Sequence, residues 1–166
     1  VNAEVTSDWP DGPVPRPESA LIGNMYQSNP VDAAMVFPDV TPWGLAGAGL
    51  EDGASLAGVV GSEYDAFEPG LSPPNAEIWA HSPLECRGQP GHSDVTWYTQ
   101  PGGGGVFATG TNWWVSKLSD NPGQFPPALV ARATAGVTGP LTAVTKNVLS
   151  VIGTGPGDAL SPSVPN

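Results

Sequence analysis

The chain has 166 residues, the length of one ordinary domain, and carries 5 Lys and Arg against 16 Asp and Glu, a net charge of -11. No basic stripe in the sequence could neutralise phosphates, so neither nucleic acid nor the anionic surface of a membrane is expected as a partner. No apolar run approaches the roughly 20 residues of a spanning helix, and we therefore expect no membrane span.

The 22 Gly and 20 Pro raise the question of disorder, but 6 Trp, 4 Phe and 3 Tyr argue against it, because disordered chains are poor in aromatic residues. We expect one ordered, loop-rich domain over 17–153. A Pro-rich arm over 1–16 is expected before it, and a flexible tail over 154–166 after it.

The first predicted elements are short. RPESALIGNMYQ at 16–27 predicts a short helix or turn, and DAAMVFPD at 32–39 a strand of four or five residues. TPWGLAGAGLEDGAS at 41–55 is rich in turn residues and predicts a loop with a brief helical turn. LAGVVGSEYDAF at 56–67 predicts the next strand, and AEIWAHSP at 76–83 predicts a half-buried strand that ends at the Ser-Pro pair.

The clearest pattern is a β-hairpin. It consists of a strand at 94–99, a glycine-rich turn at 101–105 and a second strand at 106–109. Four consecutive glycines leave the type of turn open. The two strands are therefore expected to be antiparallel neighbours.

The last long element, PLTAVTKNVLSVIG at 140–153, predicts an amphipathic helix, because Pro suits its first position and Gly the residue past its end. Upstream, PALVARATAG at 127–136 predicts a further helix. Together with the short strands, these helices indicate a mixed α/β or α+β fold. The predicted buried face of the last helix is Leu141, Val144, Val148, Leu149 and Ile152.

Three ionisable side chains, Glu63, Tyr64 and Asp65, follow an apolar run and a glycine. Along a strand, Glu63 and Asp65 share one face while Tyr64 points to the other. Two neighbouring carboxylates push their pKa values apart, which suits one to act as an acid and the other as a base. The alternative is a strand that runs out into solvent, and the spacing alone favours that alternative.

The only two histidines, His81 and His92, lie near Glu85, Cys86 and Asp94 in the sequence, and these side chains could form a metal site with nitrogen and oxygen ligands. Their spacing matches no known metal motif, so we favour histidines that are exposed or hydrogen-bonded, and predict no metal ligand in this chain.

The tryptophans allow two interpretations. Trp97 and Trp113, with Trp79 and Trp114, could line a pocket for a sugar or a small amide. Such residues more often pack in a core, and the adjacent pair at 113 and 114 must face different sides. Core packing is the interpretation that we favour.

Four segments resemble one family in their order and separation. They are PESALIGNMY at 17–26, GSEYDAF at 61–67, SDVTWYTQPGGGGVFATGTNWWVSKL at 93–118 and VTKNVL at 144–149. Together they resemble the C-terminal region of the N,N-dimethylformamidase large (beta) subunit and its actinobacterial relatives. The resemblance implies the last third of a three-layer domain like that of class I glutamine amidotransferases, ending in a hairpin and a helix.

The resemblance also implies amide hydrolysis, with a mononuclear iron held by tyrosines and a glutamate. Glu63 falls on the family's Gly-Tyr-Glu-aromatic-Asp motif and so resembles its acid/base glutamate, although Ser62 stands where the family has tyrosine. The iron ligands and a catalytic histidine are expected upstream, so that a partner chain, rather than these residues, would hold any iron. The implied pocket beside Glu63 consists of Tyr64, Asp65, Trp97 and Trp113.

Two functions are therefore expected. The first is a subunit or processed fragment of an amide hydrolase that completes its active site with a protein partner or larger subunit and acts on a small linear amide. The alternative is a non-catalytic structural or interaction module of a secreted or surface assembly. Low charge, few lysines and a start at Val1 favour an exported, secreted or surface protein, whereas the amidase itself would be expected in the cytoplasm.

Overall fold

The computed structural model describes residues 16–119 and 135–164 and has an α+β fold with two antiparallel sheets. All strand pairs in these ranges are antiparallel, which selects α+β from the two predicted classes. The implied three-layer arrangement stays a prediction. The elements are α1 (Ser19–Ile22), β1 (Met25–Phe37), β2 (Ala54–Ala66), β3 (Glu77–Cys86), β4 (Gln89–Thr99), β5 (Gly105–Ala108), α2 (Thr138–Ile152) and α3 (Gly157–Leu160), with 3-10 turns at Trp43–Leu45 and Val115–Leu118.

The first sheet pairs β1 with β2; β2 agrees with the strand predicted at 56–67 to within two residues, whereas β1 is much longer than its sequence pattern indicates. β1 begins at Met25, inside the segment predicted as a helix or turn, and the helical part of that segment is only α1. The reason is the partner strand, because Met25 lies opposite Ala66 and Phe37 opposite Ala54. Backbone pairing over this length overrides the weak helical spacing of the side chains.

The second sheet has the order β3-β4-β5, and the predicted hairpin of β4 and β5 is confirmed, with Trp97 opposite Phe107. The prediction that β3 ends at the Ser-Pro pair is wrong, because the strand continues through Pro83 to Cys86. Within its sheet β3 is an edge strand, where the missing N–H of a proline breaks no ladder hydrogen bond.

A two-residue turn joins β3 to β4. Arg87 and Gly88 both have positive φ, 53° and 77°, as a type I′ hairpin turn requires. The turn sets the register of the hairpin and places His81 directly opposite Asp94.

The segment after β5 ties the two sheets together. Thr111 forms an isolated bridge with Tyr64, and its hydroxyl accepts a hydrogen bond from the Gly61 N–H at 2.9 Å. The Asp65 N–H donates to the Gly110 carbonyl at 3.0 Å. The final residues of β2 are therefore held by both sheets.

Stacked aromatic rings form the centre of the core. Trp79 and Trp97 are fully buried and stack with ring centroids 6.0 Å apart, and Trp43 meets each of them edge-on at 5.2 Å. The core is continuous from β1 to α2, since residues of both sheets and of the helix belong to one buried cluster.

The predicted helix at 140–153 is confirmed as α2, although it begins at Thr138, so that Pro140 is its third residue and not its first. Leu141, Val144 and Val148 are buried as expected. The prediction is wrong for Leu149 and Ile152, which are 60% and 44% exposed. Leu149 lies about 100° around the helix from Val148 and so leaves the buried stripe. Ile152 lies in the last turn, beyond the last buried residue. Most of the further helix predicted upstream lies outside the described residues, as does nearly all of the predicted N-terminal arm.

In the ranges described, no helix combines the length and the apolar character that crossing a bilayer would require.

Residues 154–164, expected to be a flexible tail, pack on the second sheet. They contain α3, and the Trp97 indole N–H donates to the Ser161 carbonyl at 3.0 Å. The Thr99 N–H donates to the Ser163 hydroxyl, and the Val164 N–H donates to Glu77. The buried indole needs an acceptor, and this segment supplies it.

Asn147 fastens α2 to the 3-10 turn at Trp43–Leu45. Its side-chain amide donates to the carbonyls of Gly44 and Ala46 at 3.0 and 2.9 Å. We expect Asn147→Ala to lower the free energy of unfolding by about 1–2 kcal/mol, because both acceptors lose their donor. Urea denaturation measures this, with Lys146→Ala at the neighbouring exposed position as the control. Equal effects of the two changes would contradict the prediction.

Candidate functional site

Glu63, Tyr64 and Asp65 lie inside the paired part of β2. Asp65 is opposite Tyr26 and Tyr64 is opposite Ser28, and the strand continues to Ala66. The alternative of a strand end running out into solvent therefore does not describe these residues.

The two carboxylates are half-buried and lie close enough to affect each other. Burial raises the pKa of Asp65 to about 6, and the charges of Glu63 and Glu18 add to the rise. Within 16–119 and 135–164, neither Glu63 nor Asp65 has a side-chain hydrogen bond or an ion pair with Lys or Arg. In these ranges no cationic side chain offsets the repulsion between the two carboxylates, and this repulsion contributes to the raised pKa of Asp65.

Glu18, which precedes α1, is the third carboxylate of this group. One of its oxygens accepts a hydrogen bond from the Tyr26 N–H at 3.2 Å, and its Oε2 is buried without a hydrogen-bond partner among the described residues. We call Glu18, Glu63 and Asp65 the acidic site. The corner between α1 and β1 brings Glu18 to it from 45 residues away in the sequence.

Trp113 and Asn112 contact Gly61 and Ser62, the two residues that precede Glu63 on β2. Trp113 packs so closely on Gly61 that a Cβ there would lie 2.5 Å from the indole ring, and the Asn112 amide lies 3.4 Å from the Ser62 hydroxyl. The Asn112 Oδ1 and the Trp113 Nε1 are buried and have no hydrogen-bond partner within 16–119 and 135–164. With Glu18 Oε2 they make three of the six such atoms in the described part of the chain. Buried polar atoms normally have hydrogen-bond partners, so each of these three atoms is a place where another group can bind.

Tyr64 and Trp97, predicted for the same pocket, occupy other places. Tyr64 is buried with its hydroxyl against Gly91, where a Cβ would lie 2.6 Å from it. Burial, followed by the charges of Cys86 and Tyr26, raises the pKa of Tyr64. Trp97 is fully buried in the aromatic core, which favours the core-packing interpretation for this residue.

Three surface pockets formed by described residues lie away from Glu63 and Asp65. They lie over the first turns of α2, beside Trp43 and around the loop at 49–56. Neither Glu63 nor Asp65 lines any of the three.

The structure also brings His81, His92 and Asp94 together, and their ligand atoms lie within 4.8 Å of one another. Glu85 and Cys86 do not join them, because they lie at the turn of the hairpin, opposite Pro90 and Gln89. Of the three residues that the sequence places near the histidines as possible metal ligands, Asp94 is thus the one that joins them. The turn residues at 87 and 88, which set the register, are the signal that could have placed it opposite His81.

Comparison with known families agrees with the resemblance read from the sequence motifs. A search of curated proteins gave no match. The family model described as "N,N-dimethylformamidase beta subunit-like, C-terminal" matches residues 1–125, which include the acidic site and both sheets but not α2. The chain therefore belongs to the N,N-dimethylformamidase beta subunit-like family and corresponds to its C-terminal region.

Proposed function

We propose that the chain is a subunit or processed fragment of a dimethylformamidase-like hydrolase of linear amides, and that a partner chain completes its active site. The family match supports the type of chemistry, and the description as beta subunit-like supports assembly with another chain. The observation that carries the proposal is the pair of half-buried carboxylates, Glu63 and Asp65, without a cationic partner in the described ranges.

Glu63 holds the family's acid/base position and acts as the general base. It takes a proton from the water whose oxygen bonds to the amide carbonyl carbon, and then gives that proton to the amine nitrogen as the C–N bond breaks. Asp65, with a pKa of about 6, keeps its proton longer than an ordinary aspartate as the pH rises. A carboxyl that keeps its proton to higher pH can donate it, so Asp65 is suited to act as an acid beside Glu63.

The tyrosines of this chain do not fit the iron site that the resemblance implies. The Tyr98 hydroxyl donates to the Leu21 carbonyl, the Tyr64 hydroxyl packs against Gly91, and the Tyr26 hydroxyl accepts the Asn29 amide at 2.7 Å. These are the chain's three tyrosines, and each hydroxyl is engaged away from a shared site with Glu63. We therefore assign no step to iron bound by this chain.

The surface beside the acidic site suits a partner. Leu21, Ile22 and Tyr26 are 54%, 39% and 46% exposed, and Glu18 binds the backbone N–H of Tyr26. Exposed apolar side chains next to unpaired buried polar atoms are typical of an interface that another chain covers. A larger subunit seated here would enclose the acidic site and supply the missing groups.

The test begins with native mass spectrometry and metal analysis of the protein isolated from its source. We expect the chain to travel with a larger subunit. In that complex, Glu63→Gln is expected to lower kcat/KM on a panel of linear amides by at least about 100-fold, the usual contribution of a general base. Glu51→Gln, which removes the same charge at an exposed position, is expected to leave activity unchanged.

Either of two results would overturn the proposal. Retention of activity in Glu63→Gln within a few-fold would remove Glu63 from the chemistry. A homo-oligomer or monomer without amide hydrolysis would favour the non-catalytic module. Fractionation of the source into medium, envelope and cytoplasm checks the expectation of export.

A further inference from the structure

His81, His92 and Asp94 lie on one face of the β3–β4 hairpin. His81 is directly opposite Asp94, and His92 precedes Asp94 by two residues on β4. Residues two apart on a strand point to the same face, and directly opposed residues share a face. The hairpin therefore presents both imidazoles of the chain to one carboxylate.

The distances between these three side chains are compatible with their binding one ion. His81 Nδ1 lies 2.8 Å from Asp94 Oδ1, His92 Nε2 lies 3.3 Å from Asp94 Oδ2, and the rings are 4.7 Å apart between centroids. Zinc-class ions bind nitrogen and carboxylate oxygen at about 2.0–2.2 Å, so neighbouring ligand atoms stand roughly 3–4 Å apart. The three ligand atoms lie within 4.8 Å of one another, which is close to this arrangement.

The carboxylate is fixed and the histidines are open to solvent. The Asp94 side chain is 1% exposed, and its Oδ2 accepts the Phe67 N–H at 2.9 Å, while its backbone carbonyl accepts the Asn24 amide at 2.7 Å. The side chains of His81 and His92 are 48% and 42% exposed. Such outer hydrogen bonds orient metal ligands, and exposed rings leave coordination positions for water or another ligand.

We propose that His81, His92 and Asp94 bind one divalent transition-metal ion of the Zn²⁺ class. A buried carboxylate between two imidazole rings supplies one anionic oxygen and two ring nitrogens to a cation. A metal ion accepts both rings as neutral ligands, since the proton of each facing nitrogen moves to the other ring nitrogen. Imidazole ligands select Zn²⁺, Co²⁺ or Ni²⁺ over Mg²⁺ and Ca²⁺.

The test is titration of the metal-free full chain with Zn²⁺ and with Co²⁺, by calorimetry and by the visible absorption of Co²⁺. We expect one ion per chain. His81→Gln and His92→Gln are each expected to weaken binding at least about tenfold, while Glu85→Gln and Cys86→Ser, on the same strand but outside the group, leave it unchanged. Mg²⁺ at equal concentration is expected to compete poorly.

A measurement on the unaltered chain keeps the test independent of variant folding. Zn²⁺ is expected to shift the NMR signals of the ring nitrogens of both histidines at one equivalent. Absence of these shifts, binding that survives both histidine changes, or equal affinity for Mg²⁺ would overturn the proposal. In that case the two histidines serve only as hydrogen-bond partners of a buried aspartate.

Discussion

Gly105→Ala is expected to lower the free energy of unfolding by about 1–3 kcal/mol, the usual cost of overpacking a well-filled core. A Cβ at Gly105 would enter the ring of Trp97, which is fully buried between Trp43 and Trp79. The indole cannot retreat without giving up its hydrogen bond to the Ser161 carbonyl. Urea denaturation followed by far-UV circular dichroism measures the change.

The neighbouring residue of the same hairpin gives the matched control. A Cβ at Gly104 would meet no atom within 4 Å, so Gly104→Ala is expected to change stability by less than about 0.5 kcal/mol. Trp97→Phe in the Gly105→Ala background is expected to recover part of the loss, because the smaller ring leaves room for the methyl group. Equal effects of the two alanines would show that flexibility of the turn, and not the contact with Trp97, sets the cost.

Asp65→Asn is expected to raise the free energy of unfolding at neutral pH by about 1–2 kcal/mol, after allowance for partial exposure of the carboxyl. The pKa of Asp65 is raised from 3.8 to about 6, so the folded state binds its proton more tightly than the unfolded state does. The stability that this tighter proton binding gives the folded state is fully present below about pH 3.8 and is lost as the pH rises through about 6. The asparagine carries no charge and removes this dependence.

Stability curves between pH 4 and 7 measure the effect, with Glu51→Gln as an exposed control that keeps the slope of the unaltered protein. In an NMR titration, Glu63→Gln is expected to lower the pKa of Asp65, since it removes one of the charges that raise it. An unchanged pH dependence in Asp65→Asn would mean that Asp65 titrates like a solvated carboxyl. Stabilisation by removing a charged group is typical of residues kept for function.

Local patterns were enough to predict the β4–β5 hairpin, the loop with a helical turn and α2, because each depends on residues close in sequence. The extent of β3 was not predictable in the same way. Pro83 is a sound reason to end a strand, and it is tolerated only because β3 is an edge strand of its sheet. That β3 lies at the edge of its sheet becomes known only from the fold.

The candidate site, like the fold, could be predicted from the sequence only in part. Alternation along a strand is enough to place Glu63 and Asp65 on one face, and the resemblance singles out Glu63. Glu18 comes close to Asp65, and Trp113 packs on Gly61, through long-range contacts that no local spacing encodes. His81 likewise meets Asp94 only because of the turn that follows β3.

The stacked tryptophans of the core give the protein an optical signal of its own packing. Indole rings held at 5.2 and 6.0 Å couple electronically, so Trp43, Trp79 and Trp97 should produce a strong near-UV circular dichroism band. Such a band disappears when side chains lose their fixed packing, even where the secondary structure persists. Loss of the band would therefore identify substitutions that disturb the packing of the core, whereas substitutions that affect only Glu63 or Asp65 should leave it intact. This distinction can be made before any substrate is known.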